Sequence, residues 1–221
     1  ADRTAGEVSN YLWDFGNGNK STLQNPSAIY YKSGNFTVTL TVTDSKGAKS
    51  TKTFSPVRVF SNPTVNFSAD TVACVGEGLD FRDLSVKADT AIVKWTWDFS
   101  DGSLSKNQSA GHSYTYSGKF SIGLTIVDGF GCKSLKTKTN YIRIKPTPKA
   151  NFALDKTYTC MLPAVFSATN TSSGANSYKW LCSDGSNSTN KDFKTNIGAF
   201  GKYKMTLISI GNGCNDTSEK L

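Results

Sequence analysis

One unit recurs three times in this chain, and the length of that unit limits what it can fold into. "WDFGNG" at Trp13–Gly18 returns as "WDFSDG" at Trp97–Gly102 and as "WLCSDG" at Trp180–Gly185, at spacings of 84 and 83 residues. The likeness runs well past the tryptophan. "YYKSGNFTVTLTVTDSKGAKS" from Tyr30 matches "YTYSGKFSIGLTIVDGFGCKS" from Tyr114 and, more loosely, "GAFGKYKMTLISIGNGCND" from Gly198. Upstream, "PTVNFSADTVACVGEGLDFRDLS" from Pro63 matches "PKANFALDKTYTCMLPAVFSATNTS" from Pro148. A unit of roughly 83 residues is too long for one turn of a solenoid and suits small domains that fold separately in tandem.

Within each unit the apolar period is two. Phe36, Val38, Leu40 and Val42 alternate with threonines, and Phe120, Ile122, Leu124 and Ile126 repeat the pattern. Such alternation places one set of side chains on the core face of a strand and the other toward solvent. Short alternating runs bounded by Gly, Asn, Ser and Asp, with no amphipathic helical window, predict an all-β chain of tandem immunoglobulin-like sandwiches. The boundaries follow the repeats: 1–60, lacking its first strands; 61–146, complete; and 147–221, truncated at its C-terminal end.

The net charge is +8, but the lysines are dispersed along the chain, without the dense basic and aromatic clustering of a nucleic-acid site. No run of apolar residues is long enough to span a bilayer. The repeats also serve as internal controls on enzymatic readings. The lone histidine, His112, is matched by Ala28 and Thr195, so no His-dependent triad is common to the three units. No phosphate-binding loop, HExxH or CxxC occurs. Loops such as "DFSDG" and "SDGSNSTN" offer oxygen ligands for calcium without an EF-hand pattern, and no cofactor is expected.

"WDFGNG" followed by "SGNFTVTLTVTD" resembles the PKD (polycystic kidney disease) domain, in three copies that cover essentially the whole chain. Copies two and three, with a cysteine after the first strand and "GC" before the last, are similar to PKD repeats of large surface and gliding adhesins of Bacteroidota. The resemblance implies β-sandwiches in an extracellular or cell-surface string.

On this reading Trp13, Phe15, Trp97, Phe99, Trp180 and Cys182 occupy equivalent core positions, with Cys182 a small unpaired core thiol. Asp14 and Asp98 point away from the core and accept backbone hydrogen bonds, while Gly16, Gly18, Gly102 and Gly185 serve the turn. Because Cys74 and Cys132 fall in copy two and Cys160 and Cys214 at the matching places in copy three, the repeat predicts the disulfides Cys74–Cys132 and Cys160–Cys214. The expected function is non-enzymatic: spacing and presentation within a long adhesive protein whose partners are neighbouring repeats, surface polysaccharide or other surface proteins. The rival is an accessory substrate-binding module of a secreted hydrolase. Short Pro-containing linkers, "VFSNPTV" and "IKPTPKAN", favour an elongated array with limited swing between neighbours.

Overall fold

The computed structural model describes residues 7–221, and every regular element among them is a β-strand. No helix among the described residues is long and apolar enough to cross a membrane. The chain clusters into two compact units. One takes the chain up to Asn66 with Ser85–Trp95 and Thr125–Leu135; the other takes Phe67–Leu84, Thr96–Leu124 and Lys136–Leu221. The first therefore includes one end of repeat 2, and the second includes all of repeat 3.

Repeat 1 contributes β1 (Val8–Asp14), β2 (Lys20–Ser21), β3 (Gly34–Phe36), β4 (Thr39–Asp44), β5 (Lys49–Thr53) and β6 (Val57–Val59). They form an antiparallel sheet in the order β2-β1-β4-β5 and a two-stranded sheet of β3 and β6. Trp13 lies opposite Leu40 on β4. Its indole sits between Phe15 and Phe54, with ring centroids 6.4 and 5.6 Å away. The residues of β4 are all half-buried. Trp13 is half-buried as well, and its indole N–H is enclosed without a hydrogen-bond partner among the described residues.

Repeat 2 is built from β7 (Phe67–Ser68), β8 (Val72–Cys74), β9 (Gly78–Asp83), β10 (Ile92–Asp98), β11 (Leu104–Ser105), β12 (Ala110–Ser113), β13 (Gly118–Asp128) and β14 (Lys133–Lys145). One sheet runs β11-β10-β13-β14-β8 and the other β12-β9-β7. Along β13 the expected alternation is realised: Phe120, Ile122, Leu124 and Ile126 are buried, and the residues between them are half-buried. Trp97 is fully enclosed; Phe67 meets its ring edge-to-face at 5.4 Å, and its N–H donates to the carbonyls of Asn107 and Gln108 at 3.0 and 3.3 Å. Asn140, with φ of 51°, takes a left-handed conformation within β14 where the matching residue of repeat 1 is Pro56, between β5 and β6.

Repeat 3 comprises β15 (Phe152–Leu154), β16 (Ala164–Asn170), β17 (Ser177–Cys182), β18 (Asn187–Ser188), β19 (Phe193–Ile197), β20 (Met205–Gly211) and β21 (Cys214–Lys220). Its sheets are β15-β16-β19 and β18-β17-β20-β21. Trp180 is again fully enclosed and donates to the carbonyls of Asn190 and Lys191 at 3.1 and 3.3 Å. The cores of repeats 2 and 3 fill the same space differently. In repeat 2 a large Phe81 on β9 faces a small Ala110 on β12; in repeat 3 the small residue is Ala168 on β16 and the large one Phe193 on β19. Both phenylalanines pack on the tryptophan, at 5.9 and 5.7 Å, so core volume is kept while its source changes strand.

The disulfide connectivity departs from the repeat-based pairing. Cys74 is bonded to Cys214, and Cys132, Cys160 and Cys182 are free. Strand register explains why Cys74–Cys132 does not form. Cys74 lies beside Lys145 at the end of β14, whereas Cys132 precedes that strand's first residue, so the 13 residues of β14 separate them. Cys214, which opens β21 at the hairpin tip of repeat 3, reaches the end of repeat 2 instead of Cys160. The bond joins two repeats, where the expectation closed each on itself.

The exchanged Phe and Ala positions give a direct test of core packing. Phe81→Ala should cost about 3–5 kcal/mol and Ala110→Phe about 1–3 kcal/mol by overpacking. The double variant, which copies the arrangement of repeat 3, should recover at least about 2 kcal/mol of the summed loss in a double-mutant cycle read by urea denaturation.

Candidate functional site

The signature turn is built from its own backbone. In β1 the Asp14 carboxylate accepts from the Gly16 N–H at 2.9 Å and pairs with Lys20 at 3.3 Å, and these contacts hold its carboxyl below the usual range. In repeat 2 Asp98 accepts from the Ser100 N–H at 2.8 Å. Gly18, Gly102 and Gly185 share the left-handed conformation, with φ of 90°, 94° and 92°. Gly16 has φ of 72° and lies so close to Thr37 that an added Cβ would meet its carbonyl oxygen at 2.5 Å. Leu181 takes the acid's place in repeat 3, so that acid is a local brace and not a reagent.

One cluster has the composition of a hydrolytic triad. Asp101, Ser103 and His112 converge in repeat 2: the Ser103 hydroxyl donates to Asp101 Oδ1 at 2.5 Å, and His112 Nε2 lies 2.7 Å from Asp101 Oδ2 and 3.4 Å from Ser103 Oγ. Burial opposes ionisation of Asp101, but hydrogen bonds from Ser103 and His112 outweigh it and hold the carboxyl below its usual range. An ionised carboxylate only accepts, so Nε2 carries the proton. The ring nitrogen nearest Ser103 is thus already protonated toward Asp101. A triad needs one nitrogen for the acid and the other for the nucleophile, and here a single nitrogen faces both.

The other repeats show what the cluster is for. In repeat 3 Asp184 accepts from Ser186 at 2.5 Å and from the Thr195 hydroxyl at 3.0 Å, so a hydroxyl replaces the imidazole in the same brace. Repeat 1 carries a neutral version: Asn17 accepts from the Asn19 N–H at 3.0 Å and donates to the Ile29 carbonyl at 3.2 Å. His112 additionally stacks on Phe99 at 4.2 Å. Among the described residues no three of His, Cys, Asp and Glu converge as metal ligands.

Two tyrosines not singled out from the sequence complete the turn. Tyr30 and Tyr114 each donate to the carbonyl of the phenylalanine in the signature, Phe15 and Phe99, at 3.1 Å. Their recurrence in "YYKSG" and "YTYSG" was the available signal. Repeat 3 replaces this pair with smaller groups, Cys182 for the phenylalanine and Ile197 for the tyrosine. A cavity of about 370 Å³ opens there, walled by Cys182, Ile197 and Met205 and flanked by Tyr158 and Phe200, which are 83% and 76% exposed. Cys182 is buried in it, and burial pushes its thiol above the ordinary range. The cavity is a mainly apolar recess with an aromatic border, and Lys156, Thr157, Thr159 and Lys202 also line it.

Substitutions in the Asp101 brace separate support from chemistry. His112→Ala should cost about 1–2 kcal/mol, and His112→Thr, which copies repeat 3, less than about 1 kcal/mol, read by urea denaturation. Because the Asp101 pKa is depressed in the folded state, its contribution is present above the unfolded carboxylate pKa and is lost as pH falls through the folded value. Asp101→Asn, which copies the amide of repeat 1, should flatten that acid limb in denaturation midpoints measured from neutral pH down to about pH 2.

Comparison with known proteins agrees with the repeated architecture. The chain is 29% identical over 126 residues to the pre-pro-metalloprotease PrtV of Vibrio cholerae, covering 57% of this chain and 14% of that protein. It is 44% identical over 63 residues to collagenase ColA of Bacillus cereus, covering 28% of this chain and 6% of the relative. The chain thus spans only a small part of the length of these relatives. Among solved structures, the PKD1 domain of Vibrio anguillarum Epp aligns with a TM-score of 0.36 at 25% identity, covering 39% of this chain and 100% of that one. The PKD1 domain of V. cholerae PrtV aligns with a TM-score of 0.34 at 27% identity, covering 38% and 98%. A family model described as PKD domain matches residues 1–59 and 60–144, and the chain belongs to the PKD domain family.

Proposed function

We propose that this segment is a non-catalytic, extracellular module that spaces and presents other parts of a longer secreted or surface-displayed protein. One observation carries the reading. The polar groups that recur in the repeats are consumed in bracing turns, and the only triad-like cluster among the described residues keeps its brace when histidine becomes threonine. A disulfide supports an oxidising compartment. The related proteins named as a metalloprotease and a collagenase support an accessory place beside other domains.

A second reading is favoured by the exposed Tyr158 and Phe200 beside the apolar recess of repeat 3: an accessory module that holds a hydrolase on a polymeric substrate. Purified chain should turn over no peptide or glycoside substrate and show no saturable binding to insoluble collagen or polysaccharide. Saturable binding lost in Tyr158→Ala and Phe200→Ala would replace the spacer reading with the accessory-binding one. Turnover by the purified chain would contradict both.

A further inference from the structure

The Cys74–Cys214 bond has a repeated geometry around it. Cys74 ends a strand laid parallel on the last strand of repeat 2, in register with Lys145, and the Val75 N–H donates to the Lys145 carbonyl at 3.1 Å. Cys214 comes from the β20–β21 hairpin of repeat 3. The linker between them is pinned by a bridge of Lys149 to Ser173 and by Ser172, which accepts from the Asn151 N–H at 3.0 Å and donates to the Asn151 carbonyl at 3.2 Å.

The junction of repeats 1 and 2 has the same construction. Its linker is bridged from Thr64 to Val86, and Ser85 accepts from the Asn66 N–H and donates to the Asn66 carbonyl, both at 3.2 Å. The corresponding hairpin of repeat 2 docks on the end of repeat 1: Phe130 stacks on Phe60 at 3.9 Å, and the Arg58 guanidinium lies 4.8 Å above the Phe60 ring. Cys132, the counterpart of Cys214, lies two residues beyond Phe130 in this hairpin and is free. The strand that would carry a counterpart of Cys74 has no equivalent among the described residues of repeat 1, where β6 pairs with β3 in a two-stranded sheet. At the other end, Cys160 is the counterpart of Cys74 and is exposed.

We propose that Cys132 and Cys160 are each competent for the same inter-repeat crosslink: given an adjoining repeat, Cys132 bonds a first-strand cysteine placed like Cys74, and Cys160 a hairpin-tip cysteine placed like Cys214. The covalent unit is then the junction between repeats, and not the single repeat. Each bond forms by thiol–disulfide exchange. One thiolate attacks an oxidised dithiol protein or low-molecular-weight disulfide of the compartment, and the second thiolate displaces that reagent. Two protons leave the cysteines, two electrons reduce the reagent, and one S–S bond is made.

Two extended forms of the full chain test this. The first repeats residues 61–84 ahead of Ala1, supplying repeat 1 with opening strands and a copy of Cys74. The second repeats residues 140–221 after Leu221, supplying the rest of the last strand, a linker and a further hairpin tip. Peptide mapping of the oxidised chains without reduction should find Cys132 joined to the added copy of Cys74 in the first and Cys160 joined to the added copy of Cys214 in the second. Alkylation of that cysteine by iodoacetamide in the folded protein should be lost in each case. Either linkage supports the proposal. Full alkylation of Cys132 and Cys160 in both extended chains, or their bonding to Cys182, overturns it.

Discussion

The structure of repeats 2 and 3 is arranged to cover one indole in each. A tryptophan carries the largest apolar surface of any side chain and one N–H that needs an acceptor, so its burial requires two sheets and a nearby carbonyl. Repeats 2 and 3 supply both: a phenylalanine edge from the opening strand and a pair of carbonyls from the loop after the short strand. In repeat 1 the corresponding indole is half-buried and its N–H has no partner among the described residues. The tight turn that follows the tryptophan, and the tyrosine tied to it in repeats 1 and 2, hold the strand that carries the indole in place.

The three copies amount to a substitution experiment carried out within one chain. Where repeat 2 uses aspartate and histidine, repeat 3 uses aspartate and threonine, and repeat 1 an asparagine amide, yet each anchors its loop. The large and small partners beside the tryptophan exchange strands without loss of enclosure, since Trp97 and Trp180 are both fully buried. Where the exchange is not compensated, as with Cys182 and Ile197 in place of an aromatic pair, a recess opens. Packing volume and turn satisfaction therefore account for the recurring residues, and the differences between copies lie where those constraints can be met in more than one way.

Much of this was legible in the sequence, and the reasons for the rest are physical. Alternation along Phe120–Ile126 identifies a half-buried strand because strand side chains have a period of two. The tryptophan, the acid and the turn glycines declare themselves by recurrence. Disulfide partners do not, because two copies with a matching pair of cysteines each are equally consistent with bonds inside a repeat and bonds from one repeat to the next. Only the register of β8 on β14, which places Cys74 beside Lys145, separates the two. The Phe81–Ala110 and Ala168–Phe193 exchange is likewise hidden, since it is a relation across strands and not along the chain. The recess at Cys182 was half visible: the phenylalanine-to-cysteine change could be read directly, but its coincidence with Ile197 needed the fold.

The account holds that repeats are joined through their ends by the hairpin tip of one and the first-strand cysteine of another. A disulfide map of the native, oxidised chain of 221 residues, made by proteolysis at low pH without reduction and mass spectrometry, tests this most directly. It should yield one crosslinked peptide containing Cys74 and Cys214, with Cys132, Cys160 and Cys182 recovered as thiols. Crosslinked peptides joining Cys74 to Cys132 and Cys160 to Cys214 would contradict it.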